Sequence, residues 1–293
     1  MKRLLVIFLS LLLLAGCGKT PGEPISPQDR VIELAPIPES ELETIAPVAE
    51  QEPQPEPIPQ TEPIPQPKPE PADTSFVERH DWYFSGIPAS VDKICEKYDA
   101  YYRSGRDEQV IYLTFDEGYE NGYTSVILDT LKEKGVTAAF FVTGSYVKQN
   151  PELIQRMADE GHIVGNHTVN HPAMSSLDEA GIKEEILGLE EQLKAFGVSD
   201  RYVRPPEGAY SEHSLKVTKD LGYKTIFWHF AYRDWVVDDQ KGKDFAYEKI
   251  VNGAKPGGIM LLHAVSKDNA EALGDAIDTL RAQGWSFQSL EQL

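Results

Sequence analysis

Residues 109–143 read QVIYLTFDEGYENGYTSVILDTLKEKGVTAAFFVT, and this stretch decides the fold class. Gln109–Asp116 is a short β-branched and aromatic run that ends in an acid, the pattern of a buried strand. In Ser125–Leu131 the apolar residues recur at helical spacing, and the pattern stops near Gly135, a residue suited to ending a helix. Val136–Thr143 then reads as a second strand.

The same alternation continues to the C-terminus. Asn150-Pro151 supplies a cap and a first-turn proline for a helix ending at Gly161. His162–Asn166 is strand-like, and Ile182–Phe196 is amphipathic with helical period. Arg201–Arg204, Lys224–Phe230, Ile259–Leu262 and Trp285–Leu290 complete the predicted strands. Strands alternating with helices predict an α/β fold around a mainly parallel sheet. Pattern alone does not separate an open sheet from a closed barrel. The placement of Asp116, His167, Arg204, Asp234 and His263, each just past a different predicted strand, favours the barrel, where catalytic groups gather at strand C-termini. Phe76–Gly105, with Trp82, Tyr83 and Phe84, reads as an aromatic-rich N-terminal extension (76–107) packing on that body.

The first quarter of the chain is of another kind. The 293 residues carry 28 basic and 47 acidic side chains, a net charge of −19. Fifteen of the 21 prolines lie between Gly18 and Ala72, whereas 27 of the 28 aromatics lie from Phe76 onward. Residues 18–75 therefore cannot bury enough apolar surface to offset their ordering entropy, and predict a disordered, extended linker. A PxxP ligand is the alternative reading of this segment. Residues 18–72 hold 11 acids and three bases, a charge of −8; with Lys2 and Arg3 counted, −13 remains for the rest. That balance argues against nucleic acid as a partner, since phosphate contacts need clustered Lys and Arg. Lys2-Arg3, the apolar run Leu4–Leu14 and then Ala15-Gly16-Cys17 read as a secretory signal peptide over residues 1–17, too short for a spanning helix. Leu14-Ala15-Gly16-Cys17 resembles the bacterial lipobox, which implies lipidation of Cys17 and an extracytoplasmic protein anchored to the membrane. Cys95 is then a lone thiol, expected to be a small buried hydrophobe.

Seven histidines are present, and His167-x-x-x-His171 spaces two imidazoles so that both can reach one metal from a helix or tight turn. The glutamate of an HExxH metalloprotease is missing. Thr114-Phe115-Asp116-Glu117-Gly118, His167-x-x-x-His171, Arg204-Pro205-Pro206-Glu207-Gly208, Asp234-Trp235 and Leu261-Leu262-His263 follow one another in this order. Together they resemble the five motifs of the polysaccharide deacetylase family (carbohydrate esterase family 4, NodB-homology domain), over residues 108–293. The runs from Thr114 to Thr124 and from His263 to Leu273 resemble one branch, the delta-lactam-biosynthetic de-N-acetylases, which act on muramic acid in spore peptidoglycan. The resemblance implies a distorted (β/α) barrel and hydrolysis of an acetamide. It implies that His167, His171 and Glu117 hold a divalent metal, Zn2+ by preference. Asp116 matches the general base, Arg204 the residue that orients it and keeps it ionised, and His263 the general acid. Glu207 matches an oxyanion donor through its backbone, and Trp235, Leu261 and Asp234 match the substrate-binding wall.

Two positions depart from the family pattern. Glu117 stands where the family usually has Asp, which leaves direct ligation, ligation through water and a two-histidine site all open. Ala231 stands where the family has the acid that partners the catalytic histidine. Without that carboxylate His263 is expected to have a low pKa, which Ala231→Asp would raise. The resemblance implies a monomer acting on peptidoglycan strands at muramic acid. N-acetylglucosamine, chitin or xylan are the substrate alternatives, and a silent glycan-binding lipoprotein is the alternative of another class.

Overall fold

Each strand anticipated from 109 onward has a counterpart among residues 74–293, the part of the chain that the computed structural model describes. The signal peptide, the lipidation site Cys17 and nearly all of the linker lie outside the described residues. The strands are β1 His80–Asp81, β2 Ala100–Tyr101, β3 Val110–Glu117, β4 Ala139–Val142, β5 Ile163–Asn166, β6 Tyr202–Val203, β7 Ala209–Tyr210, β8 Lys224–Ile226, β9 Gly258–His263 and β10 Ser286–Phe287. The helices are α1 Asp92–Tyr98, α2 Thr124–Lys134, α3 Gly144–Gln149, α4 Pro151–Asp159, α5 Glu179–Leu193, α6 Glu212–Asp220, α7 Lys243–Gly253 and α8 Lys267–Ala282. Gly135 ends α2 in the left-handed conformation (φ 59°), and Pro151 opens α4, both as the sequence suggests.

Eight strands form one sheet in the order β10-β3-β4-β5-β6-β8-β2, with β9 on the other flank of β3. Every pairing in it is parallel, because each strand returns through a helix on the outer face. The sheet curls into a barrel that is only just closed. β9 reaches the opposite side through two isolated bridges, Phe230–Met260 and Arg103–Gly258, and not through a ladder. The predicted strand Lys224–Phe230 accordingly stops at Ile226, and the segment beyond it bends to meet β9.

Period-two alternation sorts side chains between the two faces. On β3, Ile111, Leu113 and Phe115 join Phe140, Leu128 and Ile277 in the layer under the helices. Val110 and Tyr112 point inward with Phe141, Ile226 and Ile259. The inward column continues through Thr114 to Asp116, so the last inward side chain of β3 is an acid at the barrel mouth.

The N-terminal extension does more than pack on this body. Its β2 is an edge strand of the main sheet beside β8, and β1 pairs antiparallel with β7. Trp82 stacks on Phe227 with ring centroids 4.0 Å apart and donates its indole N–H to the Trp228 carbonyl at 2.8 Å. Cys95 is free and buried in the same aromatic cluster, where burial pushes its thiol pKa up to about 12. Among the described residues no helix is long and apolar enough to cross a membrane.

Candidate active site

The barrel mouth is built from the C-terminal ends of β3, β5, β6 and β9. Parallel register places Asp116 of β3 directly beside His263 of β9. Beneath them lies Arg204, fully buried just after β6. Its guanidinium donates to Asp116 Oδ1 at 2.8 Å, to Thr114 Oγ1 at 2.9 Å and to the carbonyls of Ile226 and Phe227 at 3.1 and 3.3 Å. Its face lies 4.2 Å from the Phe141 ring centroid. Burial alone raises the pKa of Asp116, but the charge and hydrogen bond of Arg204, with the charge of His263, outweigh it and hold the carboxyl below its ordinary range. Asp116 is therefore an ionised base at neutral pH.

His263 is supported from the other side. Asp234 Oδ1 lies 2.7 Å from its Nδ1, and Asp234 Oδ2 accepts from the His263 backbone N–H at 2.9 Å and from Asn269 Nδ2 at 2.6 Å. Tyr232 O–H donates to Asn269 Oδ1 and completes the chain. Burial lowers the His263 pKa, yet the charge and hydrogen bond of Asp234 win and leave it above the ordinary value. This corrects the expectation drawn from Ala231: the histidine does have a carboxylate partner, supplied three residues later. Asp234 is buried behind His263 and does not line the cavity, so it positions the histidine and is not part of the substrate wall. Ala231 is buried in the apolar cluster that includes Trp82, Tyr210 and Leu261, where a charge would lose its hydration.

The two histidines of His167-x-x-x-His171 stand on a tight turn after β5, with ring centroids 4.8 Å apart. Thr168 and His171 both adopt positive φ (69° and 58°), a strain that costs on the order of 1–3 kcal/mol each and tends to gather at functional sites. The turn is held by Asn166 Oδ1 to the Thr168 N–H (2.9 Å), Thr168 Oγ1 to the His171 N–H (3.0 Å), and Glu185 to the Asn170 N–H and side chain (2.8 Å each). His167 Nδ1 bonds the Arg204 carbonyl at 2.8 Å, leaving Nε2 as a lone pair 3.5 Å from Asp116 Oδ2. Burial lowers its pKa to about 4, so the ring is neutral and ligand-competent at physiological pH. A backbone acceptor on the far nitrogen is the usual support of a metal-binding imidazole.

Glu117 is not brought to these rings. It follows Asp116 on β3 and so faces the helix side, where Thr124 Oγ1 lies 3.4 Å from its carboxyl. Burial first, then the nearby charges of Glu120 and Asp116, drive its pKa well above the ordinary value, making it a poor anionic ligand. Among the described residues no three His, Cys, Asp or Glu side chains form a ready metal cage. The expected Glu117–His167–His171 triad thus reduces to its two-histidine form, and the paired imidazoles on one turn fit a divalent ion.

These groups open into a cavity of about 510 Å³ whose walls include Trp235, Leu261, Val265 and Glu207. Trp235 lies 5.2 Å from the His263 ring and stacks on Phe84 at 5.9 Å, with 10° between the planes. Glu207 sits at φ 59°, ψ 2° in the turn after β6.

Comparison with known proteins decides what this constellation belongs to. The polysaccharide deacetylase family model matches residues 103–226. The Bacillus subtilis peptidoglycan-N-acetylmuramic acid deacetylase PdaA is 51% identical over 205 residues, 69% of this chain and 78% of its own. The chain belongs to the polysaccharide deacetylases, carbohydrate esterase family 4. The solved structure of B. subtilis PdaA superposes with a TM-score of 0.72 at 47% identity, covering 74% of this chain and 97% of that one. A Bacillus cereus peptidoglycan-N-acetylglucosamine deacetylase is 32% identical over 192 residues, 64% of this chain and 89% of its own.

As a deacetylase, the chain brings together Asp116, His167, His171, Arg204, Glu207, Trp235, Leu261 and His263, and leaves Glu117 and Asp234 outside the cavity. Several supporting residues escape sequence reasoning. Thr114 was visible as a polar interruption of an apolar strand. Asn166, directly before His167, holds the turn by a local contact of the kind asparagine favours, whereas Glu185 carries no signal, because it acts on the histidine turn from a separate element. Asn269 looks like an ordinary residue of the first turn of α8, and Phe84 becomes legible only when the extension folds over the mouth.

Proposed function

We propose that this deacetylase removes the acetyl group from N-acetylmuramic acid in peptidoglycan, as a step toward muramic delta-lactam in spore cortex. It is read as a monomer held at the outer face of the cell membrane through lipidated Cys17. The observation that carries the catalytic reading is the register pairing of Asp116 with His263, each backed by an opposite charge (Arg204 and Asp234) that sets its protonation state. A glycan-binding module has no use for an ionised base beside a protonated acid. The higher identity to the muramic acid deacetylase than to the glucosamine enzyme supports the choice of sugar.

In this reading Asp116 takes a proton from water as the oxygen adds to the acetyl carbon. Arg204 keeps that carboxylate ionised and aimed. The backbone N–H at Glu207 donates to the oxyanion that develops, while Trp235, Leu261 and Val265 hold the acetyl methyl and keep water out. His263 then gives its proton to the departing nitrogen as the C–N bond breaks, releasing acetate and leaving a free amine. A divalent ion, Zn2+ by preference, is held by His167 and His171; when bound, such an ion polarises the acetyl oxygen and lowers the pKa of water. The freed amine lies next to the lactyl carboxyl, and a separate later step that expels water between them would close the lactam.

The test is to incubate the protein with glucosamine oligomers and with peptide-free peptidoglycan strands, and to identify the deacetylated sugar by mass spectrometry. Free muramic amines made by wild type, and not by Asp116→Asn or His263→Ala, are expected. Equal and zero release from all three would leave only the binder, and release confined to glucosamine would replace the sugar.

A further inference from the structure

The cavity has a charge pattern that the deacetylation reaction does not use. Its described lining includes the carboxylates Asp81, Asp116 and Glu207, and a single lysine or arginine, Arg79. Arg204 lies beneath the floor, fully buried and engaged by Asp116, Thr114 and two carbonyls. Arg79 comes from the N-terminal extension, outside the span of the family model. The β1–β7 pairing fixes it beside the turn that carries Glu207. Its Nε donates to Asp81 Oδ1 at 2.9 Å, and its Nη2 reaches Glu207 Oε2 at 3.3 Å.

These pairs are open to exchange. The Arg79 side chain is 49% exposed, and those of Asp81 and Glu207 are 65% and 58% exposed. Ion pairs so wet are worth little, so a better-placed carboxylate can take the place of either partner. Muramic acid offers one: its lactyl ether stands on the carbon next to the one bearing the acetamide. A sugar whose acetamide reaches Asp116 and His263 thus carries its carboxylate only a few bonds away, and Arg79 lines the same cavity as those two residues. The part of the chain around this cavity is acidic, with −13 carried by residues 73–293, and it opposes an anionic sugar unless a local cation answers it.

We propose that Arg79 is a specificity-determining residue that binds the lactyl carboxylate of the muramic acid being deacetylated. Its planar fork suits a carboxylate, and the exchange releases Glu207 or Asp81 to water. The inference rests on the muramic acid reading above. It goes further in requiring that the carboxylate be free, because an amide at that position carries no charge for Arg79 to meet.

The experiment compares wild type, Arg79→Ala and Arg79→Lys on two peptide-free glycans, one with free lactyl carboxylates and one in which they are converted to methylamides. Muramic amines are counted by mass spectrometry. Wild type is expected to lose about 10- to 100-fold in kcat/KM on the amidated glycan, the range of a lost charge-assisted hydrogen bond. Arg79→Ala is expected to treat the two glycans alike, with Arg79→Lys between them. If wild type makes muramic amines but Arg79→Ala discriminates as wild type does, the role of Arg79 is overturned and the sugar stands. If wild type makes only glucosamine amines, both fall.

Discussion

Asp234→Asn tests the pairing on which the general acid depends. The substitution keeps the shape and removes the charge. Asparagine has one acceptor oxygen where aspartate presents two, and three donors converge on them: His263 Nδ1, the His263 backbone N–H and Asn269 Nδ2. If its oxygen keeps the two donors at Oδ2, its NH2 faces His263 Nδ1 and forces that nitrogen to accept. The imidazole is then neutral with its proton on Nε2, a form that is a poor acid. A hydrogen bond to a charged group contributes about 1.5–3 kcal/mol, which is about 10- to 150-fold in kcat if the bond is fully realised in the transition state. The pH dependence has a definite sign. In wild type the pull of Asp234 exceeds the effect of burial, so His263 stays protonated above its ordinary pKa. Asp234→Asn removes the pull and leaves burial, so the pKa falls and the alkaline limb of the pH–rate profile moves to lower pH. The assay is acetate release from peptide-free glycan between pH 5 and 10, in wild type, Asp234→Asn, His263→Ala and the double variant. In the His263→Ala background Asp234→Asn should cost almost nothing more. A single variant with wild-type kcat and an unmoved alkaline limb refutes the reasoning.

Arg204→Met should destabilise the fold by about 3–5 kcal/mol at pH 7 by leaving Asp116 buried without its partner, read as a lower denaturant midpoint. Because Asp116 is held below its ordinary pKa, that loss should shrink as pH falls through the folded value, where the carboxyl protonates in both proteins. Zn2+ titrated calorimetrically should bind wild type and Glu117→Gln with similar affinity, since Glu117 faces the helices, whereas His171→Ala should weaken binding at least 10-fold. Gly208→Ala should lower the midpoint by about 1–3 kcal/mol, because φ is +68° and an added Cβ would sit 2.8 Å from the Trp228 ring and 2.9 Å from Trp82 Cβ. Ala231→Asp should destabilise by a similar or larger amount and leave the alkaline limb unmoved, its carboxylate having no place beside a histidine already engaged.

Strand–helix alternation and the strand-end position of the reactive residues were legible from the sequence because both follow from local periodicity. Chain order also carried the motifs, so Asp116, Arg204 and His263 could be named together. Which face a residue takes was partly legible as well. Asp116 and Glu117 are adjacent on a strand, and alternation alone separates them, yet motif matching put both on one metal. The partner of His263 was obscured for a different reason. A family position occupied by alanine suggests a missing carboxylate, whereas three-dimensional proximity lets Asp234 serve from three residues further along the loop. Glu185 and Asn269 act across 15 and 35 residues of chain, a separation at which no local pattern survives.

The barrel seam has a consequence for motion. β3 and β9 share six register pairs, while β9 meets the far side of the barrel through two isolated bridges. Local opening follows the cheapest boundary, and here that boundary runs along the far flank of β9, away from the β3 ladder. When it opens, base and acid travel together on their shared ladder, and the aromatic side of the mouth, with Trp82 and Trp228, moves away from them. Amide exchange at Ile259 and Leu261, whose N–H groups bond across that flank to the carbonyls of Tyr102 and Phe230, would then report the admission of a bulky polymer, while the spacing between the two catalytic groups is preserved throughout.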